Sequence, residues 1–334
     1  MIGYYVHHVG AGHLNRARAV ALRTDGTVTG LSSLPAPAGW PGPWVRLARD
    51  DNAPEVVDPT ARGNLHWVPE RDDGLCRRMT ALSSWIETAR PEVLVSDVSA
   101  EVTLLARLHG VPVVSVVLPG RRGDRAHRSA HAVSSGLVAA WPRAADRMVH
   151  GLVPADALRL HHVGALSRLG TAGPDQGDAS RRQVLVLSGR GGGHPTEAQV
   201  RVAAADAPGW SWTVLGGSGE WCDDPSAAID AAEVVVVQAG ESAVADVAAR
   251  RRPAVVVPAS RPFDEQVTTG RALAAGPWPC RVEERFPTRG WNARLAAVAA
   301  LDGQAWGSWC DGGAADRLAE YLASFSSPRR KRIA

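Results

Sequence analysis

Short apolar, β-branched runs alternate along this chain with segments of helical period. Residues 2–6, 28–34, 44–47, 93–96 and 112–117 each read as a buried strand. The spacing predicts helices over 14–23, 71–90 and 99–109, and Pro91 stops the second of these. Residues 121–131, rich in arginine and histidine, run into an apolar helix that Pro142 ends, and 147–152 reads as a strand. A stretch rich in Gly, Asp and Ser, 171–180, interrupts the pattern. Alternation then restarts with strands 183–187, 210–215, 233–237, 253–257 and 280–282. Helices are expected over 196–205, 225–231, 242–250, 266–275, 292–301 and 314–325, the last one amphipathic. Strands and helices in alternation imply parallel sheets covered on both faces.

The restart divides the chain. We expect an α/β protein of two Rossmann-like domains, 1–163 and 181–325, facing each other across a cleft, with a linker at 164–180 and a tail at 326–334. A length of 334 residues suits two domains, and 45% hydrophobic with 21% charged residues is ordinary for a globular chain. The net charge of +3 owes four positives to Arg329-Arg-Lys-Arg332, so the remainder is close to neutral and argues against a nucleic-acid-coating protein. Those four cations at a polar end are a candidate peripheral contact with an anionic membrane face. Lys331 is the only lysine, so other cationic recognition falls to arginine. Cys76, Cys222, Cys280 and Cys310 show no metal-binding spacing and read as reduced thiols. No apolar run approaches the roughly 20 residues that span a bilayer, and no basic segment precedes a leader-like stretch, so a cytoplasmic protein is expected.

The candidate chemistry lies at the strand ends. After strand 233–237, Gln238-Ala-Gly240 makes a turn that brings backbone close to a ligand, and Glu241 and Ser242 open the next helix, whose N-terminus favours anionic groups. Asp246, four residues beyond Ser242, shares its face and suits a pair of ribose hydroxyls. The loop after Pro258 delivers Asp264, Glu265 and Gln266, groups that suit a sugar. Gly189, Arg190, Gly191, Gly192 and Gly193 offer N–H groups and a cation to a diphosphate, without the Gly-Lys-Ser/Thr of a Walker loop. The first loop, Gly10-Ala-Gly12-His13, lacks the third glycine and the distant acid of a dinucleotide site. His13, as a neutral imidazole, suits proton abstraction, and Asp97 at a strand tip either orients it or is itself the base. Capping the helix at 99–109 is the other reading of Asp97. The pairs His7-His8 and His161-His162 are expected to point to opposite faces of strands, so no metal site is expected. The tryptophan-bearing segment 35–68 reads as core, with an acceptor pocket as the other use.

Residues 233–266 resemble the nucleotide-sugar signature of GT-B glycosyltransferases of the MurG type. Gly240, Asp246, Pro258 and Gln266 fall in register with it, while Ala239, Ala243 and Asp246 replace its first Gly, its Thr and its Glu. The Gly-x-Gly-His-x-x-Arg stretch from Gly10 to Arg16 is similar to that family's first loop, and Gly164 and Arg168 match its hinge. The resemblance implies a metal-independent, inverting transfer from a nucleoside diphosphate sugar, with UDP as the expected nucleotide, to a hydroxyl acceptor, with no cofactor. It places Gly12, Arg168, the 189–193 loop, Gln238, Gly240, Glu241, Ser242, Asp246, Glu265 and Gln266 around the donor, and His13 or Asp97 at the reacting hydroxyl. A UDP-sugar 2-epimerase and a non-catalytic nucleotide-sugar-binding subunit remain open alternatives.

Overall fold

The structure is a computed structural model that describes residues 1–145, 147–172, 182–189 and 191–325. The first half supplies strands β1 (Ile2–Tyr5), β2 (Val28–Ser32), β3 (Trp44–Arg46), β4 (Val93–Asp97), β5 (Val113–Val117), β6 (Gly120–Arg121), β7 (Gly136–Ala139), β8 (Val149–His150) and β9 (Leu160–His162). Its helices are α1 (Ala11–Ala21), α2 (Asp73–Ala89), α3 (Ala100–Leu108), α4 (Arg125–Val133) and α5 (Pro154–Ala157). Seven strands form a parallel sheet in the order β3-β2-β1-β4-β5-β7-β9, and β6 pairs with β8 apart from it.

The second half holds β10 (Gln183–Leu187), β11 (Ser211–Leu215), β12 (Val234–Val237), β13 (Ala254–Val256) and β14 (Cys280–Val282). They form a parallel sheet in the order β11-β10-β12-β13-β14. Helices α6 (Glu197–Asp206), α7 (Ser226–Ala231), α8 (Glu241–Ala249), α9 (Glu265–Ala275), α10 (Trp291–Ala299) and α11 (Ala314–Ala323) complete it. In both sheets the strand order turns outward from a central strand, and the glycine turns of β1 and β12 lie at carboxyl ends, where ligands of such sheets sit. The four valines of β12 are fully buried, as a strand covered on both faces requires.

Three elements differ from expectation. Residues 136–139 are a strand, not a helix running on to Pro142. Ser134 turns to an extended backbone after α4, and the next apolar residues pair with β5 on one side and β9 on the other. A four-residue apolar run carries no period that separates helix from strand, and sheet pairing decides. Residues 147–152 contribute only β8, because left-handed residues at Arg147 (φ 56°) and Gly151 (φ 88°) confine it, and β9 closes the first sheet instead. The last helix, α11, packs on the first half: Ala314, Leu318 and Leu322 share a core with Ile2, Tyr4, Ala17 and Val20. A second cluster spans the halves, joining Val117, Leu137 and Trp141 to Leu185, Val235 and Val237.

Candidate active site

Helix α1 begins at Ala11, so His13 lies in its first turn and not in the preceding loop. Helix α8 begins at Glu241 across the cleft. Gly10 and Gly240 precede these two helices without a side-chain cap, leaving both N-termini open. The helix ends approach closely: a Cβ on Gly12 would sit 2.7 Å from Oγ of Ser242, so a larger residue there would have to displace that hydroxyl. A cavity of about 270 Å³ opens at this meeting point. Of the expected donor residues, Gly12, Arg168, Gly189, Gly191, Gly240, Glu241, Ser242, Asp246 and Glu265 line it, and so does His13.

A second cavity of about 320 Å³ adjoins the first on the side of the N-terminal sheet, with a wall that is mostly apolar. His13, Leu118 and Glu265 line both cavities. A depression of about 570 Å³ shares Asn15 and Arg168 with the first cavity and another of about 880 Å³ lies along α2, and neither is lined by His13.

Behind His13 stands Asp97. Its Oδ1 lies 2.9 Å from Nδ1 of His13, and its side chain is fully buried while that of His13 is 16% exposed. Ser99 caps α3 by accepting from the amide of Val102, which leaves Asp97 free of the capping role. Val98, next in sequence, holds φ at 68°, an unusual state for a β-branched residue, where the chain turns out of β4. Arg16, one helical turn after His13, approaches Oδ2 of Asp97 with its Nε at 3.7 Å. Its Nη2 meets Oε1 of Glu241 at 2.8 Å. Burial would raise the Asp97 carboxyl, but Arg16 and His13 outweigh it and hold the group below its ordinary value. An ionised Asp97 only accepts, so Nδ1 of His13 carries the hydrogen of this bond, and in the neutral tautomer that this fixes Nε2 holds the lone pair.

The second cavity carries an aromatic cluster that the sequence reading did not single out. Phe263, from the loop before α9, packs edge-on to His127 (5.0 Å between centroids) and His66 (5.7 Å), and Arg122 lies over its face at 4.8 Å. Phe263 and Asp264 both take left-handed backbone, at φ 60° and 56°. The loop is clamped by Arg121–Asp264 at 3.1 Å and by its approach to Gly120 (φ 106°), where a Cβ would meet the Phe263 carbonyl at 2.3 Å. Burial brings the imidazoles of His7, His127 and His131 down to about 4, so all three are neutral near pH 7.

Other expected residues are placed differently. Asp246 accepts from Ser167 Oγ (2.7 Å) and Arg168 Nε (3.2 Å), and Arg168 also reaches the carbonyl of Asp223. Gln238 donates to the Gly192 carbonyl (3.0 Å) and Gln266 accepts from the Ala259 amide (2.9 Å), so both hold loops behind the cavity and do not line it. Gly192 and Gly193, both left-handed, belong to the same tethered loop. Arg190 and the basic tail at 329–332 lie outside the described residues. His7 and His8 stack at 5.1 Å instead of pointing apart, because β1 ends at Tyr5.

Two clusters bring potential metal ligands within 4.8 Å: His66, Asp124 and His127, and His8, Asp50 and Asp51. In each, an arginine hydrogen-bonds the histidine, Arg122 to His127 at 3.3 Å and Arg78 to His8 at 3.2 Å, which opposes a cation. Among the missed residues, Arg16 had a signal in its three-residue spacing from His13 on one helix face. Phe263 had none, since its place depends on the docking of one half against the other.

No protein-family model matches this sequence, and no curated protein matches it. Solved structures do match in fold. The glycosyltransferase of kitacinnamycin is 15% identical, with a TM-score of 0.66 over 97% of this chain and 98% of that one. MurG of Acinetobacter baumannii is 14% identical, with a TM-score of 0.61 over 97% and 99%. The spinosyn rhamnosyltransferase SpnG, complexed with thymidine diphosphate, is 16% identical, with a TM-score of 0.59 over 97% and 96%. The chain therefore has the GT-B fold, two parallel α/β halves facing across a cleft. Among the described residues no helix is long and apolar enough to cross a membrane.

Proposed function

We propose that this protein is a glycosyltransferase. A nucleoside diphosphate sugar occupies the cavity between α1 and α8, and a hydroxyl-bearing acceptor occupies the apolar cavity beside it. The observation that carries this reading is the position of His13, which lines both cavities and is braced by a buried, ionised Asp97. Nε2 of His13 takes the proton of the acceptor hydroxyl. The oxygen attacks the anomeric carbon, and the bond from that carbon to the diphosphate breaks with its electron pair leaving on the phosphate oxygen. The displacement is single and inverting. Asp97 orients the imidazole and stabilises the imidazolium that forms. Being fully buried behind His13, it is the brace and not the base.

The open N-termini of α1 and α8 favour the diphosphate, and Asp246 accepts from the ribose on lone pairs that Ser167 and Arg168 leave unused. Among the described residues, Arg16 and Arg168 are the cations that line this cavity. Similar folds occur with thymidine diphosphate bound, so uridine and thymidine diphosphate sugars are the donors to test first. The test incubates the protein with a panel of both kinds and a panel of hydroxylated apolar acceptors, and measures nucleoside diphosphate release. Release that requires an acceptor supports transfer. Donor conversion with no acceptor indicates an epimerase, and binding with no turnover under any pairing indicates a binding subunit.

A further inference from the structure

Among the described residues, Arg16 and Glu241 form the ion pair that links the base to the donor half, and its surroundings are short of hydrogen-bond partners. Arg16 is 5% exposed and Glu241 11% exposed, yet both line the donor cavity. Nε and Nη1 of Arg16, Oε2 of Glu241, Oδ2 of Asp97 and the hydroxyl of Tyr4 are all buried and make no hydrogen bond among the described residues. Nε of Arg16 and Oδ2 of Asp97 face each other at 3.7 Å, beyond hydrogen-bond length, and buried polar atoms left short of hydrogen bonds are costly, which marks a site poised to change partners. The charges are also unbalanced. Facing Glu241 are Arg16 and His13 from α1, Asp97 from β4, Glu265 from α9 and Tyr4 from β1, while Asp246 on its own helix is already paired. Arg122 also acts on Glu265 and Glu241 through space, so among the described residues three carboxylates share two guanidiniums, of which Arg16 is the one ion-paired to Glu241, and a diphosphate arriving beside Gly240 adds more negative charge.

We propose that the Arg16–Glu241 pair couples donor binding to proton uptake: a nucleoside diphosphate in the cavity drives a proton from solvent onto Glu241 and frees Arg16 to turn Nη1 toward the phosphates. Arg16 then keeps its hold on Asp97, and so on His13, while it neutralises the leaving group. In the ligand-free protein burial already brings the Glu241 carboxyl up to about 7, against the pull of Arg16, so added negative charge protonates it at neutral pH. This inference rests on the donor assignment made above.

Calorimetry of the full chain with UDP and TDP, in buffers of differing ionisation heat at pH 7, tests it. The expected result is net proton uptake by the wild type, with affinity falling by up to about tenfold per pH unit above pH 7. Glu241→Gln, which mimics the protonated acid, should remove that uptake and flatten the pH dependence. The proton balance of the nucleotide's own phosphate remains in both proteins and cancels in the comparison. A UDP-sugar, whose diphosphate carries no proton that titrates near pH 7, should show the same uptake while uridine, which has no phosphate, shows none, and this contrast decides the matter on the wild type even if Glu241→Gln fails to fold. Heats that do not depend on the buffer, or equal uptake by wild type and Glu241→Gln, overturn the coupling while leaving the donor assignment intact. No binding by either diphosphate overturns both.

Discussion

Nδ1 of His13 lies 2.9 Å from Oδ1 of Asp97, across 84 positions of sequence. The carboxylate has no exposure to solvent, so its effect on a reacting hydroxyl passes through the imidazole. His13→Ala should lower turnover by roughly 10²–10⁴ while leaving nucleotide affinity near normal. Steady-state kinetics with calorimetry checks this, and near-normal turnover at saturating substrate would remove His13 as the base.

Asp97→Asn should also lose turnover, because an amide no longer enforces the same tautomer on His13. It should lose stability as well, since Arg16 is buried and would keep only Glu241 as a counter-charge. A lower melting temperature and lower turnover are expected together. A variant that melts normally and turns over normally contradicts the brace.

Asp246→Ala should weaken UDP or TDP binding by roughly 1.5–3 kcal/mol, the scale of hydrogen bonds to a charged group. Arg168 loses its carboxylate partner in the same variant, so Asp246→Asn is the cleaner comparison. Unchanged calorimetric affinity in both would remove the ribose role.

Phe263→Ala should raise the acceptor KM with little change in nucleotide affinity. The ring lines the second cavity and not the first. Loss of its aromatic contacts is worth roughly 0.5–1.5 kcal/mol per pair. Equal effects on donor and acceptor would show that the loop serves the whole cleft.

The pH dependence of stability has a definite sign. Burial brings His131 down to about 4, below its unfolded value near 6.5. Between these values the unfolded chain binds more protons, so stability is present above about pH 6.5 and is lost as pH falls towards 4. At most roughly 3 kcal/mol is at stake for this residue. His131→Leu should flatten the fall in melting temperature over that window relative to wild type. An unchanged slope would show that His131 is not desolvated in the fold.

Much of this architecture is written locally. The run Val234–Val237 is β-branched and apolar at every position, and the glycine turn after it is followed by a helix, so strand, turn and helix are readable from neighbours alone. The same holds for β1 with Gly10 and Gly12, and for the cavity-lining residues at the carboxyl ends of strands. Residues 136–139 were not readable, because four apolar residues suit either state until β5 and β9 claim them as a strand. Helix α11 announces an amphipathic face but not its destination, and the first sheet supplies the apolar surface it covers.

The site divides in the same way. His13, Asp97, Glu241 and Asp246 stand out by residue type and by their place beside turns and strand tips. What they do to each other depends on burial and on distances across the sequence. Arg16 acquires its importance only where β4 and α8 bring Asp97 and Glu241 to its guanidinium. Gln238 and Gln266 acquire structural partners that no spacing foretold. Phe263 reaches the histidines of the other half only after the two sheets dock. Sequence determines backbone preference and side-chain chemistry because both act within a few residues. Charge pairing, desolvation and cavity shape act through space, so the tertiary structure alone decided them.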